Sequence, residues 1–320
     1  MPKTKKFTVA VPAYKPQFLA ECIESILGQT FANFELLIVD DASPFDVKGV
    51  VAKYEDERIR YYRNDIGFGA RDVVGNWNKC LELATGDYII CMGDDDKLMP
   101  NCLANYNKAI NEHPDINLFH CHTVIIDENS AVTDIQDARP EHESVYAMIF
   151  NEHRYLRLQF IGDFLFKTST LRARGGFYNV PWALFSDNIS AHMAAKEGGV
   201  VNVSETGFQY RQNRHTISNN TDLVGRLEAL KMVRNWYTDF LSEEPKDERD
   251  KDYGRLAIAS GLPRIEIIAS HALADELRKR PWKWLVWLAK GRRYGVTLRM
   301  LVKSTLIALS QAGRRADNQS

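Results

Sequence analysis

The first 125 residues alternate between short, continuously apolar runs and longer stretches whose apolar residues fall at helical spacing. The runs at 7–11, 34–39, 59–62, 88–92 and 116–122 are rich in β-branched and aromatic residues and predict strands. Between them, 16–29 places Phe18, Leu19, Cys22, Ile23, Ile26 and Leu27 on one helical face; 45–54, 70–84 and 100–112 predict further helices. Pro16 and Pro100 stand where a first helical turn accepts proline. Strands alternating with helices at this spacing predict an α/β fold built of βαβ units, with a mostly parallel sheet flanked by helices. Ligands of such sheets bind beyond the carboxyl ends of the strands, which makes the residues after each run the candidates for function.

Those residues are polar. Pro12-Ala13-Tyr14 follows the first run, Asp40-Asp41-Ala42-Ser43 the second, Arg63-Asn64-Asp65 the third and Gly93-Asp94-Asp95-Asp96 the fourth. A turn or N-cap role is an open alternative for Asp40 and Ser43. It fits three consecutive aspartates poorly. Carboxylates ~4 Å apart repel by roughly 1 kcal/mol in water and ~4 kcal/mol at an effective dielectric of 20. A cation or protons must compensate if they converge, and a divalent cation is the reading expected here.

Beyond residue 125 the pattern is less regular. A turn at 127–130, an aromatic apolar stretch at 155–170, a break at Gly175-Gly176, a helix at 188–196 and a strand at 200–203 are predicted. A polar basic loop at 210–215 precedes a helix at 222–241. The run SEEPKDERDKD at 242–252 is the best boundary by composition, separating a main domain, 1–241, from a C-terminal region, 242–320.

Composition excludes some classes. With 320 residues, 45% hydrophobic and 26% charged, the chain is neither collagenous, low-complexity nor wholly disordered. Five cysteines without a C-x-x-C pair predict neither disulfides nor a zinc cage, and a reducing compartment. The apolar run after the first lysines meets Pro12 after five residues, too short for a signal or a span, so a cytoplasmic location is expected.

Net charge is −1 but unevenly spread: residues 278–320 hold eleven Lys/Arg and one acidic residue, leaving −11 on the first 277. Within that tail Trp282, Trp284 and Trp287 alternate with lysines, and Arg299 and Lys303 share one face of an otherwise apolar stretch at 296–310. A basic amphipathic segment with boundary tryptophans suits the surface of an anionic membrane. A helix packed on the acidic body is the alternative. Nucleic acid has only charge in its favour and is not expected.

In this order FTVAVPAY, ECIESILGQTFANFELLIVDDAS, NWNKCLELATGDYIICMGDDDKLMP and GGF…FSDNISAHMAAKEGG resemble the inverting, non-processive family-2 glycosyltransferases of the GT-A fold, over about residues 6–215. The resemblance implies a Rossmann-like domain with a donor half at about 1–125 and an acceptor half at about 126–241, followed by a helical extension. It implies a nucleotide-sugar donor, with Pro12, Ala13 and Tyr14 against the base and ribose, Asp41 bonded to the base, Asp40 in support, and Asn64 among the donor-binding residues. The family's fourth-strand motif is an aspartate pair separated by one residue; Gly93 occupies the first of those positions here. Asp95 then faces the metal, Mn²⁺ or Mg²⁺, with Asp94 toward the ribose and Asp96 as helper; an Asp94-x-Asp96 pair is the shifted alternative.

Asp187 matches the family's general base, with a helix N-cap as its other role. Trp182 and Phe185 would stack on an acceptor sugar or lie in the core. Arg211, Arg214 or His215 would meet the diphosphate, or His215 the metal. The expected activity is metal-dependent inverting transfer to an acceptor hydroxyl. By family habit the acceptor is a lipid-linked saccharide of bacterial surface polysaccharide, handled at the inner face of the membrane. A nucleotidyltransferase would want a glycine-rich loop where this chain has VPAYKPQF, and a non-catalytic nucleotide- or glycan-binding module would not need both the triplet and Asp187.

Overall fold

A computed structural model of the chain describes residues 6–212 and 222–317, with side chains through Gln311. Two compact units divide it, Met1–Ile217 and Ser218–Ser320.

In the first unit the elements run β1 (Phe7–Ala13), α1 (Leu19–Leu27), β2 (Phe34–Asp40), α2 (Val47–Val51), β3 (Ile59–Arg63), α3 (Val73–Leu83), β4 (Tyr88–Cys91), β5 (Lys97–Leu98), α4 (Cys102–Glu112) and β6 (Leu118–Ile126). There follow β7 (Val132–Ile135), β8 (His142–Glu143), α5 (Val145–His153), β9 (Phe164–Lys167), α6 (Thr168–Ala173), α7 (Ser186–Ala195) and β10 (Val200–Arg211). β1 and β2 carry no exposed residue, the signature of central strands covered on both faces. α1 buries Leu19, Cys22, Ile23 and Ile26, the i, i+3, i+4, i+7 stripe of a helix laid on a sheet.

The path through the sheet is β3-β2-β1-β4-β9-β6-β10-β5, with β7 beside β6 and β8 beside β10. β3, β2, β1 and β4 are parallel, as expected. The sheet as a whole is mixed. β9 runs antiparallel between β4 and β6, and β5, β7 and β8 are antiparallel additions. The strand expected at 116–122 lies at Leu118–Ile126, and the helix expected at 45–54 contracts to α2, whose N-cap Asp46 accepts from Gly49 N.

The second unit holds α8 (Leu223–Phe240), α9 (Glu248–Lys279), α10 (Lys283–Lys290) and α11 (Leu298–Asp317). The boundary expected at 242–252 is a tight connection inside this unit. α8 turns a stripe of Leu227, Leu230, Val233 and Tyr237 inward and packs on α9, so it belongs with the C-terminal helices. The acidic and basic residues between the two helices form an exposed turn and the N-cap of α9, where Asp247 accepts from Arg249 N and Asp250 N. Among the described residues α9 alone is long and apolar enough to cross a membrane by length and composition. A third of its most apolar window is buried inside the structure.

Candidate active site

β1 has β2 on one side and β4 on the other, both parallel to it, so chain order reverses there and a crevice opens beyond the strand ends. Tyr14 N and Lys15 N donate to Asp94 Oδ2 at 2.6 and 2.7 Å, tying the exits of β1 and β4 together. Burial pushes the Asp94 carboxyl up to about 6 against those two donors. A cleft of about 380 Å³ opens beside it, lined by Lys15, Pro16, Phe18, Phe45 and Asp95. At its mouth the exposed rings of Tyr14 and Phe45 meet edge to face at 6.1 Å, an apolar wall of the kind a planar base packs on. Pro12 is half-buried and Ala13 fully buried at the end of β1, so Tyr14 is the member of that trio with an exposed ring.

Asp40 is buried and fully engaged: its carboxylate accepts from Tyr61 OH at 2.6 Å, Arg63 at 2.5 Å and Ser43 N at 2.8 Å. These bonds tie the end of β2 to β3 and to the turn that follows β2. Asp41 accepts from Asn64 Nδ2 at 3.0 Å, Phe68 N at 2.8 Å and Gly69 N at 2.9 Å. A carboxylate offers about four acceptor positions, so one is left for a donor group of a ligand. Asn64 lies behind this carboxylate, donating also to Asn76 Oδ1 at 3.0 Å. Its place is to orient Asp41; the direct donor contact expected of it is not what its buried amide is built for. Gly67 and Gly69 allow the approach: a Cβ on Gly67 would lie 2.5 Å from Asp41 O, and Gly69 has φ +72°.

At the triplet, a Cβ on Gly93 would lie 2.8 Å from Asp95 Oδ1 and 2.9 Å from Asp96 Oδ2. The two carboxylates thus converge over the glycine that replaces the family's first aspartate. Burial and the neighbouring Asp95 charge push the buried Asp96 carboxyl well above the usual range. Among the described residues no three His, Cys, Asp or Glu side chains form a metal cage. Two converging carboxylates fit a hard cation that keeps its other positions for phosphate oxygens and water.

Arg211 departs from expectation. It ends β10, is buried, and its guanidinium donates to Asp95 O at 2.7 Å, Asp127 O at 2.9 Å, and Glu21 Oε2 and Ser130 Oγ at 3.0 Å. It also stacks over Phe18 at 4.2 Å, while its own N–H donates to Asp96 Oδ1 at 2.8 Å. With its donors so engaged it braces the carboxylate corner from inside and does not reach a diphosphate. Arg214 and His215 lie outside the described residues.

Asp187 is the second residue of α7; Phe185 occupies the N-cap position, so the N-cap alternative for Asp187 does not hold. Its Oδ1 accepts from Asn188 N at 2.9 Å, and burial, followed by the charges of Glu152 and Asp163, pushes its carboxyl up to about 7. Tyr210, stacked on Phe160 at 3.8 Å, connects it to the triplet. Burial raises the Tyr210 phenol, and the charges of Asp96, Asp95 and Asp187 add to the shift, so all three carboxylates lie within electrostatic range of that ring.

Before α7 the chain bends sharply. Trp182, Ala183 and Phe185 all have positive φ, at 59°, 54° and 60°, a concentration of backbone strain next to the candidate base. Both aromatic residues are half-buried and neither belongs to the core. Arg71 stacks over Trp182 at 5.3 Å, and Asn179 Nδ2 donates to Asp72 Oδ1 at 2.6 Å, so the loop that Asp41 anchors also touches the segment leading into α7. Phe45 and this 66–72 loop escaped the sequence pattern; the usable signal was the Gly67-Phe68-Gly69 run, which demands close backbone approach. His120 and His122 are packed, the latter bonded to Thr206 Oγ1 and Gln136 O.

The model of glycosyl transferase family 2 matches residues 8–178, more than half of the chain, which therefore belongs to that family. It is 34% identical over 110 residues to the GalNAc(5)-diNAcBac-PP-undecaprenol beta-1,3-glucosyltransferase of Campylobacter jejuni, covering 33% of this chain and 35% of that protein. It is 33% identical over 97 residues to the UDP-Glc:alpha-D-GlcNAc-diphosphoundecaprenol beta-1,3-glucosyltransferase WfgD of Escherichia coli, covering 30% and 37%. The match thus spans little more than a third of each curated relative. Staphylococcus aureus TarS 1–349, solved with UDP-GlcNAc, superposes with a TM-score of 0.69 over 96% of this chain and 92% of that one, at 14% identity. The shared fold is GT-A, a mixed sheet with flanking helices and a helical C-terminal region.

Proposed function

We propose that the protein is a metal-dependent inverting glycosyltransferase that moves a sugar from a nucleoside diphosphate to a hydroxyl of a lipid-linked saccharide. The convergence of Asp95 and Asp96 over Gly93, with Asp187 within electrostatic range of Tyr210 beside them, supports this reading. Tyr14, Phe45 and Asp41 would hold the base, and Asp94 would fix the exit of β1 beside the ribose. Asp95 and Asp96 would hold Mn²⁺ or Mg²⁺, which supplies neutralisation of the charge that develops on the departing diphosphate.

Asp187 takes the proton of the acceptor hydroxyl as its oxygen bonds to the anomeric carbon. The bond to the diphosphate breaks on the opposite face with its electron pair, and configuration inverts. Trp182 and Phe185 offer ring faces for the acceptor sugar. Both curated relatives act, by name, on undecaprenol-linked saccharides, which supports an acceptor of that class.

A membrane partner for the second unit has its own support. α11 buries Met300, Leu301, Ser304 and Ala308, yet leaves Leu298, Val302, Leu306 and Leu309 exposed on another stripe, beside exposed Arg299 and Lys303. α10 adds exposed Trp282, Leu285 and Leu288 at its start and along it. Apolar and cationic side chains together suit an anionic bilayer at the cytoplasmic face.

Purified protein should release nucleoside diphosphate from one nucleotide-sugar, found by thermal shift with and without Mn²⁺. Asp95→Ala and Asp187→Ala should abolish release while keeping the fold. Full turnover in folded Asp187→Ala overturns the base assignment. Binding to anionic vesicles that fails with neutral ones tests the membrane partner.

A further inference from the structure

Helix α5 closes on a tight turn. Leu156 N donates to Asn151 O at 3.1 Å and Tyr155 N to Glu152 O at 2.9 Å, the paired bonds that end a helix on a left-handed residue. That residue is Tyr155, with φ +57°, where glycine is the ordinary occupant. Such a turn commonly tucks the next apolar side chain back against the helix. Here the apolar groups face water: Tyr155 is 62% exposed, Leu156 52% and Leu158 49%. The charged members of the tip are both arginines. Arg157 is held by Glu143, while exposed Arg154 lies over the Phe150 ring at 5.4 Å.

The base of the tip reaches the candidate active site. Arg139 donates to Leu158 O at 2.8 Å, and buried Gln159 accepts from Asn188, the neighbour of Asp187, at 3.4 Å. Phe160 stacks on Tyr210 at 3.8 Å, one residue before Arg211, whose own N–H meets Asp96. Neither donor binding nor the transfer chemistry uses the three exposed apolar side chains. A left-handed tyrosine that helps hold them outward marks a surface built to meet a partner.

We propose that the 154–158 tip is a membrane-contacting lip of the first unit, in which Tyr155, Leu156 and Leu158 enter the headgroup layer and Arg154 meets lipid phosphate. The inference rests on the acceptor being lipid-linked, since such an acceptor presents its hydroxyl from a bilayer. Apolar and cationic groups side by side fit an anionic lipid surface, and a tyrosine, with its apolar ring and polar end, suits the boundary. A second copy of the chain would cover the apolar groups but gives no reason for the exposed arginine among them.

The five native cysteines are buried, so Leu156→Cys in the full chain directs a thiol-reactive, polarity-sensitive dye to the tip. With vesicles of phosphatidylglycerol and phosphatidylethanolamine its emission should shift to the blue and rise. The same dye at Glu57→Cys, exposed beside the edge strand β3, should stay silent. On the dye-bearing chain, Leu158→Ser should raise the lipid concentration needed for half the response roughly tenfold. Tyr155→Gly separates membrane contact from a structural role: it eases the turn and should raise the Tm, yet should weaken the response to lipid. A chain that pellets with vesicles while the dye at 156 stays silent is held by its second unit alone, and overturns the proposal. So do an absence of vesicle binding, an equal response at both dye sites, and a response to rising protein concentration without lipid, which would indicate a second copy. A dye response in a protein that transfers nothing to lipid-linked saccharides would uphold the lip and reject the acceptor class.

Discussion

Asp95 and Asp96 turn their carboxylates to the same point above the Cα of Gly93, within 3 Å of where a methyl group would stand. The glycine is thus a spatial requirement of the corner as it is built, rather than a lost ligand. Gly93→Ala should force the two carboxylates apart and weaken Mn²⁺ binding about tenfold by calorimetry, and Gly93→Asp should weaken it further. A gain in affinity with Gly93→Asp would show that the family's motif had merely been interrupted.

Arg211 separates two kinds of arginine. As a brace it should matter to the empty protein. Arg211→Met removes a donor from two main-chain carbonyls and leaves that of Asp95 unmet, Asp127 O keeping Ser130 N, which costs about 2 kcal/mol and lowers the Tm by roughly 4–8 °C. A phosphate-binding arginine would leave the ligand-free Tm where it was and weaken only donor binding.

Asn64 should behave as a support for Asp41. Asn64→Asp sets a second carboxylate about where the amide donor stood, 3.0 Å from Asp41 Oδ1, a repulsion of ~5 kcal/mol at an effective dielectric of 20. Denaturant unfolding should read most of that loss, and UDP or GDP binding should weaken with it.

Asp187 and Asp163 both sit at about 7 in the folded chain, against about 3.9 for an unfolded aspartate. Between those values the folded chain holds protons that the unfolded chain releases, so stability falls as pH rises from about 4 to about 7 and then levels. Asp187→Asn should therefore raise the Tm more at pH 8 than at pH 5, and transfer by the unaltered protein should climb through pH 7 as the base loses its proton. A Tm gain larger at pH 5 would reverse the assignment.

The four parallel strands and their helices were legible because each is a continuous apolar run or a clean 3.6-residue stripe. β9 was not: FLFK sits in an aromatic stretch and gains strand geometry only by pairing between β4 and β6. The strand-end aspartates announced the site, yet their division of labour did not. Asp40 and Asp41 are adjacent and alike in sequence, and only Tyr61, Arg63 and the glycine loop distinguish the carboxylate bonded to side chains of β3 from the one bonded to backbone amides. Arg211 was misjudged because YRQNRH reads as an exposed basic loop, whereas its first two residues finish a buried strand.

The left-handed stretch at Trp182, Ala183 and Phe185 bears on how the enzyme could be re-engineered. Its shape is imposed by the framework, since none of these side chains favours it. Exchanging the rings alters what the loop presents without disturbing its course. A glycine at Ala183 would relieve the tension and leave the loop slack, and under the proposed function would loosen its grip on an acceptor.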